Sequence, residues 1–187
     1  MNSTFFEHIK SILFQPIQFW AKLRSFNLSF TRFFLLFVFP VVGVFGICVF
    51  AGQSLSTMST ATVGYVLLYA LLVTVIYLLA YYLSVLALNA IIPAFGGNKT
   101  GIRAATLIFY SAIPFYFSQM VVGLFPSLFF IKLLSLYSLY LFYSGCVLLI
   151  RPAKERQIAF FFVALLVTIG IHLLLFFLVV LPVLKVI

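Results

Sequence analysis

The side chains with which this sequence could do chemistry are histidine, serine, tyrosine and cysteine, because it carries only two acids, Glu7 and Glu155, and no aspartate. Paired-carboxylate hydrolysis, carboxylate-held magnesium and an acid-oriented serine–histidine triad all need groups that are missing. His172 is the sharpest remaining candidate, and it shares a helical face with Thr168 and Ala164 at spacing four. As a neutral imidazole it could bond a tyrosine of another helix; as a titrating group it would want a carboxylate that the membrane interior does not hold. His8, by contrast, is expected to be an exposed interfacial residue. Cys48 and Cys146 are the only cysteines, too far apart in sequence for a metal or redox pair. Helix rise puts them at depths differing by roughly 16 Å, beyond the roughly 7 Å Cα separation a disulfide tolerates. No catalytic, cofactor-binding or metal site is expected.

These residues must be positioned by membrane helices. Of 187 residues, 66% are hydrophobic and only 7% charged. A soluble fold of this length could not hide so much apolar surface. Five runs are long enough for a hydrocarbon layer of about 30 Å: residues 33–52, 63–88, 104–125, 128–150 and 158–181. The fold class is therefore an all-α integral membrane bundle of five transmembrane helices. Pro126 and Gly123 mark a tight turn between the third and fourth runs.

Eleven Lys and Arg give a net charge of +9. They are dispersed at helix ends, which points to anionic lipid head groups and away from nucleic acid. Nine fall on one side: Lys10, Lys22, Arg24, Arg32, Lys99, Arg103, Arg151, Lys154 and Arg156; only Lys132 and Lys185 fall on the other. The positive-inside rule then places the amino terminus in the cytoplasm and the carboxyl terminus outside. Lys99, Arg103, Arg151, Lys154 and Arg156 form the expected cytoplasmic basic face.

Residues 1–31 read as a cytoplasmic amphipathic segment ahead of a membrane domain over residues 32–187. Thr4 and Glu7 fit a capping box, Ile9, Ile12 and Leu13 share one face, and Pro16 can open a second short helix. An interfacial anchor is expected, with Lys22 and Arg24 reaching head groups. Gly43 and Gly46 suit close helix contact, and Gly96 and Gly97 a turn.

Polar groups at membrane depth need protein partners. Tyr81, Ser84, Tyr110, Ser111, Pro114, Tyr137, Ser138, Tyr140 and His172 are expected to form a polar seam among the helices. Such a seam could simply join helices by pairing its hydroxyls, or could line a substrate or proton path.

The stretches AFGGNKTGIRAATLIFYSAIPF (Ala94 to Phe115), LLSLYSLYLFYSG (Leu133 to Gly145) and RPAKERQIA (Arg151 to Ala159) resemble the Yip domain family, named for eukaryotic members that interact with Ypt/Rab GTPases. The resemblance covers roughly Pro16 onward. It implies a five-helix membrane protein with a cytoplasmic amino terminus and, from the eukaryotic relatives, a part in trafficking and membrane organisation. The long cytosolic amino-terminal region of the eukaryotic members is missing. A short prokaryotic member in the plasma membrane is the expectation, acting as a scaffold for other membrane proteins, or alternatively as a small transporter or its accessory subunit.

Overall fold

The computed structural model describes residues 5–24, 28–56, 63–97 and 101–180. Five helices in it are long and apolar enough to cross a membrane: Phe30–Leu55, Val63–Phe95, Gly101–Leu124, Pro126–Ile150 and Lys154–Val179. They are called the first to fifth spans below. Two short helices precede them, α1 (Phe5–Phe14) and α2 (Pro16–Leu23). The expected five-helix membrane architecture is what the chain adopts.

Proline sets the irregularities of the spans. Pro40 has no N–H to return to the carbonyl one turn earlier, and just before it the first span widens into a π turn, Phe34–Val38, in which the Phe39 N–H reaches the Phe34 carbonyl. The second span overruns its expected end through a 3-10 turn, Ile92–Phe95, capped by Gly96 at φ +80°. That left-handed value suits glycine and closes the turn expected here. The third span is two helices, Gly101–Ser111 and Ile113–Leu124, meeting at Ala112 just before Pro114. The fourth begins as a 3-10 helix, Pro126–Ser135, continues as an α-helix, Leu136–Gly145, and ends in a π turn, Cys146–Ile150.

Glycines let three of the spans approach closely. A Cβ on Gly46 would collide with Thr74 of the second span, and one on Gly52 with the Gly123 carbonyl of the third. Gly43 has nothing within 4 Å and does not share this role. The fifth span is the outlier. It lies along the second span, and over Gln157–Leu175 only Phe160 and Ala164 are buried.

The amino-terminal segment departs from the expected interfacial anchor. α1 and α2 form a helical hairpin whose Ile12, Phe19, Trp20 and Leu23 are buried in the bundle core. Its tip carries Phe14, 77% exposed, and Ile17, 59% exposed. The hydroxyl of Tyr137, about 20 Å along the fourth span from Ile150 at 1.5 Å per residue, donates to the Leu13 carbonyl. The hairpin therefore packs along the fourth span as part of the bundle. Thr4 of the expected capping box lies outside the described residues.

Candidate functional site

The expected seam separates into two places with different character. The first is the hairpin dock. His8 Nδ1 and the Tyr110 hydroxyl share a hydrogen bond of 2.7 Å. The His8 ring stacks on Phe37 at 5.6 Å and meets Phe19 edge-on at 5.8 Å. Tyr110 in turn holds Phe19 at a centroid distance of 4.8 Å. Trp20 is fully buried, its indole N–H donating to Ser144 Oγ at 3.0 Å. Gly145 makes this possible, since a Cβ there would collide with Leu107 and the Trp20 ring. His8 is therefore a buried residue, which corrects its expected exposure: its apolar neighbours come from the bundle itself and not from lipid. Burial lowers its pKa from the ordinary histidine value, with Glu7 opposing in part.

The second place is a cavity of about 580 Å³ between the second, third, fourth and fifth spans. Its walls are mainly apolar, including Val73, Ile108, Phe142, Leu165 and Phe176. Polar groups enter it from Tyr77, Tyr81, Tyr116, Ser111, Ser138 and His172. Towards the basic end it is closed where Phe161 of the fifth span meets Phe142 and Tyr143 of the fourth. Farther out the fourth and fifth spans separate, and Leu139 and Ile169 stand half-exposed on the two sides of the gap.

The hydroxyls here bond backbone carbonyls and not one another, contrary to the expected pairing. Tyr81 donates to the Ala105 carbonyl at 3.2 Å, Ser111 to Leu107 at 2.7 Å and Thr168 to Ala164 at 2.8 Å. Ser138 Oγ crosses between helices, accepting the Phe115 N–H at 3.1 Å. That N–H lies in the first turn of Ile113–Leu124, where no intrahelical acceptor exists for it. His172 Nδ1 lies 2.8 Å from the Thr168 carbonyl, so this nitrogen carries the proton and Nε2 is left as an acceptor. Its ring meets Tyr77 edge-on at 5.9 Å. Among the described residues no hydrogen-bond partner is found for Nε2 or for the Tyr77 and Tyr116 hydroxyls.

The other expected seam residues fall elsewhere. Tyr110 and Tyr137 belong to the hairpin dock. Ser84 is buried without a hydrogen-bond partner and does not line the cavity. Pro114 is buried at the break in the third span. Tyr140 is 46% exposed and stacks on Tyr137, so it faces outward and its expected protein partner is not found among the described residues. Tyr77, Tyr116, Thr168, Trp20 and Ser144 were not among the expected site residues, although Thr168 shares the helical register of His172 and Tyr77 and Ser144 are hydroxyls inside apolar spans.

At the basic end Arg151, Lys154 and Arg156 are exposed, and Lys99 lies outside the described residues. Arg156 donates to the Ala94 carbonyl at 3.0 Å, tying the last loop to the 3-10 turn after the second span. Arg24, counted on this side and expected to reach head groups, turns to the protein instead. Its Nε and Nη2 donate to the Leu148 carbonyl at 2.9 and 2.7 Å, satisfying a terminal acceptor of the fourth span. Its pKa is lowered first by desolvation and then by the like charges of Arg151 and Arg103. The two cysteines are free, Cys146 buried and Cys48 half-buried.

Comparison with curated proteins and with solved structures found no match. A family model, the Yip1 domain, matches residues 10–178, nearly the whole chain, and the chain belongs to that family.

Proposed function

We propose that this protein is a non-enzymatic scaffold that holds other membrane proteins and anionic lipids in place, with its amino terminus and basic face in the cytoplasm of a prokaryotic cell. The observation that carries this reading is Gly170. It stands exposed in the middle of the fifth span with nothing within 4 Å of a Cβ built there, on a face that also carries Leu166 and Phe177. Elsewhere in the chain Gly46, Gly52 and Gly145 each accept a neighbour. A glycine inside a membrane helix permits close approach of another helix, and among the described residues none uses Gly170. The arginines of the basic end suit anionic head groups.

The test is a photoreactive residue at Leu166 or Phe177 in native membranes. Adducts with specific membrane proteins, lost in Gly170→Leu, are the expected result. A chain that stays monomeric and forms no adduct overturns the reading. Tags at the two ends should report opposite compartments, the amino-terminal one cytoplasmic.

A second reading, a small transporter or accessory subunit, draws on the cavity that reaches His172. Its discriminator is water access: a His172→Cys variant labelled by a membrane-impermeant maleimide from both sides would favour it. Labelling from neither side counts against conduction by the single chain.

A further inference from the structure

Depth orders the polar groups of the cavity in a way that the scaffold reading does not use. At 1.5 Å per residue, Tyr77, Tyr116 and His172 lie about 21–23 Å from Ile91, Gly101 and Gln157, where the α-helices begin at the basic end, and their rings meet at 6.0 and 5.9 Å, while Ser111 and Phe142 lie about 12–15 Å from Gly101 and Ile150. The three groups with unused hydrogen-bonding capacity therefore form one layer in the outer part of the bilayer, above a wall that is mainly apolar. Two of them are hydroxyl donors and one is an acceptor.

Lys132 stands above that layer. It is exposed in the 3-10 segment Pro126–Ser135, and Ser135, which lines the cavity, donates to its carbonyl. Side chains three apart in a 3-10 helix eclipse one another, so Lys132 sits directly outward of Ser135, about 6 Å farther along at 2.0 Å per residue. Reading inward, the order is a cation, a layer of hydroxyls with an imidazole, then hydrocarbon walls. The opening between the fourth and fifth spans faces the lipid, since Leu139 and Ile169 flank it half-exposed.

We propose that this cavity holds one acyl chain of a phosphate-bearing membrane lipid taken from the leaflet at the end away from the basic face. The phosphate rests on Lys132, the ester region lies against Tyr77, Tyr116 and His172, and the chain runs down towards Phe142. The tyrosine hydroxyls, which line the cavity, supply the donors that ester carbonyls need. The volume of about 580 Å³ lies within the roughly 300–1,000 Å³ of small-molecule sites, and entry from the side spares the lipid any passage through water. The inference does not rest on the scaffold reading, because Gly170 lies on a different face of the fifth span.

The test is native mass spectrometry of the full chain in mild detergent, with phosphatidylglycerol and diacylglycerol added in equal amounts. The wild type should retain one phosphatidylglycerol and prefer it to diacylglycerol. Leu139→Trp and Ile169→Trp block the opening from its two sides at tolerant, half-exposed positions, and each should cut retention tenfold or more. Lys132→Gln should abolish the preference for the phosphate-bearing lipid. No retained lipid in the wild type, or wild-type retention in both tryptophan variants, overturns the proposal. An undiminished preference in Lys132→Gln overturns the phosphate assignment.

Discussion

The hairpin dock and the cavity beside the fifth span are furnished with the same side chains, histidine against tyrosine, serine against backbone, aromatic rings edge to face, yet one is closed and the other open. At the dock, His8, Trp20 and Tyr137 each have a cross-element hydrogen-bond partner. In the cavity, Ser111 and Thr168 bond only the carbonyls of their own helices, and His172 Nε2 is left to accept. The difference lies in what a third element does. α1 and α2 fill the groove between the first, third and fourth spans, whereas the fifth span lies along the second and leaves the groove beside the fourth unfilled. Polar residues in a membrane helix become structural joints where a neighbour covers them and a binding surface where none does.

The largest break in this contrast should come from Trp20→Ala. Truncating a fully buried aromatic ring costs about 3–5 kcal/mol, and here the Ser144 hydroxyl also loses the donor it accepts from. Thermal unfolding in detergent should show most of that loss, with the hairpin released first. Leu139→Ala at the cavity rim should cost a small fraction of it. Equal costs at the two positions would mean that the hairpin is not docked.

Next in size is a pair of glycine substitutions. Gly145→Ala puts a methyl into Leu107 and the Trp20 ring, and overpacking of this kind costs about 1–3 kcal/mol. Gly170→Ala meets nothing within 4 Å, and in an isolated chain should be neutral or stabilising by up to about 1 kcal/mol from helix propensity. Denaturant midpoints of the two purified variants should move in opposite directions or, at the least, differ clearly.

How much of this could be read from sequence follows from what each signal encodes. The five spans are legible because length and hydropathy are set by the bilayer; their ends shift by a few residues, most of all after Leu88, where Pro93 lies in a 3-10 segment whose extent hydropathy does not report. The dock is not legible. Ile12, Phe19 and Trp20 make an apolar face that would suit a lipid interface or a protein groove equally well, and no local pattern tells the two apart. The seam was visible as a set of residues, but its division was not. Tyr137 and Ser138 are adjacent, and a helical step of about 100° sends one to the hairpin and the other to the cavity. Choosing between them needs the neighbours of each face.

Acid should loosen the dock without touching the spans. Because burial holds the docked pKa of His8 below the ordinary 6.5, the docked hairpin binds fewer protons than the released one. Its stability is then complete above about pH 6.5 and falls as pH drops towards the docked value. Among the groups facing His8 are the Tyr110 hydroxyl and the Phe19 and Phe37 rings, with Glu7 beside it on its own helix. Trp20 is the only tryptophan, so its emission reports the dock directly. Lowering pH from 7.5 to 5 should shift that emission to the red, and His8→Phe should remove the pH dependence. A shift that persists in His8→Phe would assign the titration to another group.

The smallest effect is also the most discriminating for the idea that membrane hydroxyls hold helices together. Ser111 and Thr168 donate to Leu107 and Ala164 at 2.7 and 2.8 Å, each within its own helix. Such a bond is present whether or not the helices are assembled, so removing it changes the assembled and separated states alike. Cross-helix bonds in membranes are themselves worth only about 0.6 kcal/mol on average, and Ser111→Ala or Thr168→Val should cost less than that in a reversible unfolding measurement. A cost above about 1.5 kcal/mol at either position, near the upper end measured for cross-helix bonds, would show a partner on another span, and the cavity would then have to be a joint like the dock.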